Sequence, residues 1–233
     1  MRLYIIRHAD PDYENNTITE KGHLEAEALA ERLEAERLDC IYCSPMGRAL
    51  DTMRYTAERL GMEATVLDWI QEISATVEYP EEGRLGAWDA PGEMIYAKPL
   101  RLDGEGWAEL PHLERIGMKT KVDKVRADSD EFLASLGYRR QEGRYAVERT
   151  NRLKIALFCH GGFGLTWLSH LLQVPPIIMW TGFWLPPSSV TTVSFEQRSP
   201  LWAVPRCLGL ADVSHLYAAG LPVQWRGIYG NHD

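Results

Sequence analysis

The stretch that decides the fold is MRLYIIRHADPD, residues 1–12. Its apolar run from Leu3 to Ile6 has the length and composition of a strand buried on both faces of a sheet. The chain turns polar directly afterwards, and open α/β sheets carry functional groups just beyond the carboxyl ends of their strands. Arg7 and His8 therefore stand where a functional site is expected, although a chance basic turn explains this stretch alone equally well.

Helices and strands alternate in the residues that follow. The pattern predicts helices over 19–38 and 44–61, a short strand at 40–43 between them and a third strand at 65–70. Thr19 is the expected N-cap of the first helix, and Ser44 that of the second. Such alternation is typical of a parallel sheet that helices cover on both faces.

Residues 73–118 break the alternation and are dense in Gly, Pro, Trp and charge. A segment this long inside a compact domain is usually a lid or a binding loop, so we predict a cap insertion within a single domain spanning 1–233. Helical spacing returns at 119–136.

The last part of the chain repeats the opening design, because a strand at 155–159 leads through His160 into a helix. Strands are expected at 190–196 and 201–210, and Pro205 places the latter at a sheet edge. The predicted fold class is α/β, with three α/β/α layers and a mostly parallel sheet that has one antiparallel edge strand.

Bulk composition excludes several classes of partner. The 233 residues include 25 Lys and Arg against 33 Asp and Glu, for a net charge of −8, which argues against general binding to nucleic acid or anionic membranes. No apolar run is long enough to span a bilayer, and Met1 leads directly into a strand, so a cytoplasmic location is expected. The four cysteines are scattered and lack the pairing of a zinc site, so neither a metal nor a cofactor is predicted.

Four side chains suggest the chemistry. If Arg7, His8, Arg48 and His160 meet at the carboxyl edge of one parallel sheet, they form a compact cationic pocket with two imidazoles. Neutral imidazole is a good nucleophile towards phosphorus, and guanidinium groups clamp phosphoryl oxygens with two donors each. The arrangement favours phosphoryl transfer through a histidine.

The order of these motifs resembles that of a known family. LYIIRHADPD, TITEKGHLEAEALAERL, IYCSPMGRALDTM and LFCHGGFG are similar to successive motifs of the histidine phosphatase superfamily, also called phosphoglycerate mutase-like. SSVTTVSFE and LADVSHL resemble its late strand and the segment that follows. The resemblance covers roughly residues 1–72 and 150–216, and the middle of the chain is unmatched.

The resemblance implies a role for each matched residue. His8 would be the nucleophile that forms a phosphohistidine, and Arg7, Arg48 and His160 would bind the phosphoryl group. Gly161 would let the backbone pass close to the phosphate. Glu72 would be the general acid and then the base that activates water. A plain surface role for Glu72 stays open, and the neighbouring carboxylates are Glu78, Glu81 and Glu82.

The sequence also departs from the family pattern. Ala9 replaces the usual glycine, which requires a negative φ at this turn. Asn15 or Asn16 stands in for an asparagine common in this loop, and either is a candidate for the substrate pocket. Glu25 replaces a common glutamine and is expected on a helix surface, without effect.

Two tryptophans complete the candidates. Trp88 and Trp184 are candidates for an apolar pocket wall, with core packing as the equal alternative.

The sequence therefore predicts a metal-independent phosphomonoester hydrolase that acts on a small phosphorylated metabolite, releases inorganic phosphate and selects its substrate through residues 73–118. A phosphoglycerate mutase-like phosphomutase is the nearest alternative, since it would use the same residues. A non-catalytic phosphate-binding regulatory module is the third, suggested by Ala9 and the divergent loop that follows it. A homodimer is left open, because nothing in the sequence determines the oligomeric state.

Overall fold

The computed structural model describes residues 1–79, 83–97 and 105–228. The strands are β1 Arg2–Arg7, β2 Pro11–Asp12, β3 Thr17–Ile18, β4 Cys40–Cys43, β5 Ala64–Val66, β6 Thr76–Tyr79, β7 Gly83–Gly86, β8 Tyr138–Gln141, β9 Arg144–Val147, β10 Lys154–Cys159, β11 Val190–Glu196 and β12 Trp202–Asp212. The α-helices are α1 Glu20–Glu36, α2 Gly47–Leu60, α3 Gly92–Tyr96, α4 Pro111–Arg115, α5 Met118–Ser135, α6 Gly161–Leu172, α7 Pro176–Gly182 and α8 Ser214–Ala218.

An eight-stranded sheet in the order β5-β4-β10-β1-β11-β12-β9-β8 forms the centre of the fold. The strands β5, β4, β10 and β1 are parallel to one another. Alternate residues of β1 point into two separate clusters: Leu3 and Ile5 pack with α5 and α6, whereas Tyr4 and Ile6 pack with α1 and α2. The three-layer α/β/α fold with helices on both faces of the sheet is thus confirmed.

The antiparallel part of the sheet is larger than the one edge strand that the sequence predicted. β11 and β12 run antiparallel to their neighbours, and the hairpin β8–β9 extends this half of the sheet. The hairpin escaped prediction because its strands are short and rich in arginine. Pro205 lies in the part of β12 that pairs with β11 on one side only. β9 pairs with β12 at Trp202 and Ala203, so β12 is an edge strand at Pro205 but not along its whole length.

Two element ends differ from expectation. Thr19 caps α1 as predicted, since its hydroxyl accepts a hydrogen bond from the Gly22 N–H at 3.1 Å. Ser44 is not the N-cap of the second helix, because α2 begins three residues later with Met46 as its cap. The third strand ends at Val66, and a 3₁₀ turn at Asp68–Ile70 follows it.

The segment 73–118 has structure of its own, comprising the hairpin β6–β7, the helices α3 and α4 and a 3₁₀ turn at Gly106–Glu109. Its buried residues Val77, Tyr79, Trp107 and Leu113 join the cluster on the α5 and α6 face of the sheet. Glu81 and Glu82, the alternatives to Glu72, lie outside the described residues. Within the described part of the chain, no helix is both long and apolar enough to cross a membrane.

Candidate active site

Three adjacent parallel strands end at the same edge of the sheet and bring the predicted residues together. Arg7 at the end of β1 is in register with Cys159 at the end of β10, and Phe158 is in register with Cys43 at the end of β4. The residues that follow these strands are His8, His160 and Ser44. The imidazole centroids of His8 and His160 are 5.2 Å apart as a result.

His8 is held in one orientation and one tautomer. Its backbone N–H donates to the Cys159 carbonyl at 3.0 Å, and its Nδ1 lies 2.8 Å from the Ala9 carbonyl. Because a carbonyl oxygen can only accept, Nδ1 carries the proton and Nε2 keeps its lone pair. Burial, and then the positive charge of Arg7, lowers the pKa of His8 well below its usual value, so the ring is neutral and nucleophilic.

His160 is oriented by Ser44. The Ser44 hydroxyl lies 2.8 Å from His160 Nε2, and it also accepts a hydrogen bond from the Met46 N–H at 3.3 Å. The hydroxyl thus contacts His160 and the backbone just before α2, whose N-cap is Met46. His160 is fully buried, and its Nδ1 has no partner among the described residues, so this nitrogen is available to a ligand.

Arg7 and Arg48 supply the positive charge of the site, and both are buried. Arg7 donates from Nη1 to the Leu185 carbonyl at 2.5 Å, and Arg48 donates from Nη1 to Asn16 Oδ1 at 3.0 Å. The Nε atom of each guanidinium is buried without a partner in the described structure. Buried donors of this kind are costly unless a ligand satisfies them, and a phosphoryl oxygen suits both.

Glu72 links the 3₁₀ turn after β5 to the start of α6. Its Oε1 accepts from the Phe163 N–H at 2.7 Å, and its Oε2 accepts from the Gly162 N–H at 3.1 Å. Burial raises the pKa of Glu72, although these backbone donors oppose the rise. A carboxyl group with a raised pKa is suited to give up and regain a proton near neutral pH.

A cavity of about 780 Å³ opens over these residues and is lined by Arg7, Arg48, Glu72 and Gly161. His8 lies beneath its lining, only 2% exposed, with Tyr13 edge-on to its ring at a centroid distance of 6.4 Å. Gly161 is adjacent to Arg7: a Cβ there would be 3.5 Å from Arg7 Nε, an ordinary contact. The close approach of this glycine to phosphate therefore stays a prediction.

The substrate-pocket candidates separate into two groups. Trp88 and Trp184 line the cavity, and their contact with a substrate stays a prediction. Asn15 is exposed, bonds to Asp12 and does not line the cavity. Asn16 does not line it either, but its side chain holds Arg48, and its carbonyl lies so close to α2 that a Cβ on Gly47 would be 2.2 Å away. Asn16 is therefore a positioning residue.

Several lining residues were not found from the sequence, and three of them carry ionisable side chains. Tyr13, Asp89 and Arg226 all face the cavity, and Arg226 Nε donates to Asp10 Oδ1 at 2.6 Å across 216 positions of the chain. No local motif marks such a long-range pair.

The expectation that Glu25 lies on a helix surface is wrong. Glu25 is 2% exposed, and its Oε2 accepts from the Asp10 N–H at 2.9 Å. The face of α1 that carries it packs beneath the loop after His8. Burial raises the pKa of Glu25 to about 7.

Comparison with known proteins agrees with this geometry. The family model of the histidine phosphatase superfamily (branch 1) matches residues 3–80. Phosphoserine phosphatase 1 of Hydrogenobacter thermophilus is 28% identical over 152 residues, which cover 61% of this chain and 62% of that protein, less than two thirds of its length.

Two solved structures share the fold. A phosphoserine phosphatase variant from Entamoeba histolytica, in complex with phosphoserine, has a TM-score of 0.62 at 19% identity and covers 92% of this chain and 98% of that one. A mycobacterial glucosyl-3-phosphoglycerate phosphatase with inorganic phosphate has a TM-score of 0.59 at 21% identity, with the same coverage.

The fold is the α/β fold of these phosphatase structures, with paired histidines at the parallel edge of its sheet. Residues 3–80 of this chain are in addition similar to the histidine phosphatase superfamily (branch 1).

Proposed function

We propose that the protein is a phosphomonoester hydrolase that works through a phosphohistidine at Nε2 of His8. The observation that carries this proposal is the neutral imidazole of His8 beside two buried arginines whose Nε donors have no partner in the described structure. A nucleophile and unpaired hydrogen-bond donors that suit an anion therefore meet at one point of the sheet edge.

The first step transfers the phosphoryl group to the protein. His8 Nε2 attacks phosphorus, the bond between phosphorus and the alcohol oxygen breaks, and Glu72 gives its proton to that oxygen. Arg7, Arg48 and His160 stabilise the charge on the phosphoryl oxygens. The Nδ1 proton of His8, held by the Ala9 carbonyl, stabilises the positive ring that forms.

The second step returns the site to its starting state. The Glu72 carboxylate takes a proton from water, the water oxygen attacks phosphorus, and the bond to His8 Nε2 breaks to release inorganic phosphate. Glu72 is protonated again at the end, so the cycle balances. The arginines supply the positive charge that a metal provides in other phosphatases, and metal independence is part of the proposal.

The backbone at Ala9 supports turnover over a non-catalytic module. Ala9 has a negative φ, is fully buried and donates its N–H to the Thr52 hydroxyl at 2.9 Å. The alanine thus fits the turn without strain, so Ala9 gives no support to lost activity.

The substrate proposed is a small phosphorylated metabolite. The similarity to a protein named phosphoserine phosphatase supports this class, and the cavity has room for a compact alcohol beside the phosphoryl group. The cytoplasmic location and the homodimer remain predictions.

The test is hydrolysis of an aryl phosphate in the presence of EDTA by the wild type and by His8→Ala. We expect turnover with stoichiometric release of inorganic phosphate, and a loss of at least about 10³-fold in kcat for the variant. Equal rates for the two proteins would refute the proposal. Isomer formation from a phosphorylated diol or acid, without phosphate release, would instead identify the phosphomutase.

A further inference from the structure

The cavity extends well beyond the residues that hold the phosphoryl group. Its outer wall includes aromatic side chains from two segments of the chain, namely Trp88 from the 73–118 segment and Trp180, Phe183 and Trp184 from the end of α7 and the loop after it. The alcohol part of the substrate must therefore lie against aromatic faces.

Two of these rings are held firmly in place. Trp88 packs on α6 so closely that a Cβ on Gly162 would be 2.3 Å from its ring. Trp184 stacks on Trp225, with centroids 5.3 Å apart and planes inclined by 14°. Both rings present fixed surfaces to the cavity.

Asp89 supplies a carboxylate to the outer cavity. It lines the cavity, and a Cβ on Gly227 would be 3.7 Å from its Oδ2 atom. Burial raises the pKa of Asp89, and the positive charge of Arg7 opposes that rise. No ion pair joins the Asp89 carboxylate to another residue in the described ranges of the chain.

The cations that line the cavity within the described ranges already have other roles. Arg7 and Arg48 form the phosphoryl cradle, and Arg226 donates from Nε and Nη2 to the two oxygens of Asp10. Among the described lining residues, a carboxylate on the substrate would find no cation without another role, and it would meet Asp89. An ammonium group would find a carboxylate and aromatic faces, the combination that binds quaternary ammonium ions.

We propose that the outer cavity is a cation-binding subsite, with Asp89 as its charge partner and Trp88 and Trp184 as its walls, that selects phosphomonoesters of alcohols bearing an ammonium group and no carboxylate. This inference rests on the proposed hydrolase function and specifies its substrate class. It separates this chain from a phosphatase for phosphorylated amino acids or hydroxy acids.

The experiment uses two substrates that differ only in charge. Phosphocholine carries a trimethylammonium group, and 3,3-dimethylbutyl phosphate replaces its nitrogen with carbon. For the wild-type protein we expect kcat/KM to be about tenfold higher for phosphocholine, and for Asp89→Asn we expect the ratio to fall to about two or less. Phosphoserine should be hydrolysed less efficiently than phosphocholine by the wild type.

Glu93→Gln is the matched control, since it removes one carboxylate from the exposed first turn of α3 without touching the cavity lining. It should keep the wild-type ratio. A wild-type ratio near one, a ratio unchanged in Asp89→Asn, or a preference for phosphoserine would each overturn the subsite while leaving the hydrolase intact. No hydrolysis of these esters or of an aryl phosphate would overturn the proposed function and the subsite together.

Discussion

At the scale of single residues, the site depends on keeping two histidines neutral next to two cations. Burial, followed by the charges of Arg48 and Arg7, lowers the pKa of His160 well below its usual value, as it does for His8. A protonated His8 could not attack phosphorus. In the proposed mechanism the buried arginines would serve twice, because they would attract the phosphoryl group and would add to the effect of burial that keeps His8 unprotonated.

Glu72→Gln tests the general acid. The variant should lose about 10²- to 10⁴-fold in kcat on an alkyl phosphate, whose alkoxide needs a proton, and far less in the phosphorylation step with p-nitrophenyl phosphate, whose leaving group does not. Because burial raises the pKa of Glu72, the wild-type rate on the alkyl ester should fall as pH rises through that pKa.

The measurement is pre-steady-state kinetics on both esters across a range of pH. The ratio of the phosphorylation rates for the two esters does not depend on how much of the variant is folded. A phosphorylation rate reduced equally for both esters would exclude Glu72 as the acid.

Glu25→Gln tests a buried titratable group. The pKa of Glu25 is raised from 4.5 to about 7. Between pH 4.5 and about pH 7, the folded protein therefore keeps a proton on Glu25 that the unfolded chain has lost. Stability from this group is therefore complete below pH 4.5 and decreases as pH rises to about 7. Relative to the wild type, the variant should gain on the order of 2–3 kcal/mol in free energy of unfolding between pH 5 and pH 8.

Urea unfolding of both proteins at each pH gives the difference between their free energies of unfolding. The titration of the histidines contributes equally to both proteins and cancels in this difference. A difference that does not change with pH would show that Glu25 is ionised throughout.

At the scale of secondary structure elements, apolar runs were sufficient to predict the strands that carry the site. β1 and β10 are continuous runs buried on both faces, and their register alone sets His8 beside His160. The hairpin β8–β9 has no such run. Its place in the sheet comes from the pairing of β9 with β12, which the composition of the hairpin does not indicate. Ser44 was misassigned because a Ser-Pro pair is typical of a helix start, whereas α2 begins at Gly47 with Met46 as its N-cap.

Gly162→Ala tests the contact between α6 and Trp88. A Cβ at Gly162 would lie 2.3 Å from the Trp88 ring, so the indole must leave its place. We expect a loss of about 1–3 kcal/mol in stability and a higher KM for substrates with a bulky alcohol.

Gly92→Ala is the control, because the nearest atom to its added Cβ is 3.9 Å away, in the Tyr96 ring. It should change neither quantity appreciably. Unchanged KM and stability in Gly162→Ala would mean that Trp88 is not fixed on the helix.

At the scale of the whole molecule, the C-terminal segment is joined to the loop that carries the nucleophile. Arg226 bonds to both oxygens of Asp10, which is 1% exposed and also accepts from the Thr19 hydroxyl at 2.7 Å. The first and last described parts of the chain thus meet beside His8. Residues 226–228 form part of the cavity wall as well.

Arg226→Ala should leave the buried Asp10 carboxylate without its cation. Since the arginine side chain is 48% exposed, we expect a moderate loss of about 1–3 kcal/mol, together with a higher KM. Asp10→Asn in the same chain should recover part of the stability, because it removes the unpaired charge. Additive losses in the double variant, measured by urea unfolding, would contradict coupling between the two side chains.

In the proposed mechanism, the phosphoryl group resides on His8 during turnover. This can be measured by rapid quenching of the wild-type protein with an aryl phosphate, under alkaline conditions that preserve phosphohistidine, followed by proteolysis and mass spectrometry. We expect one phosphoryl group on His8, present during turnover and absent in His8→Ala. A phosphoryl group found on another residue during turnover, or turnover that persists in His8→Ala, would contradict it.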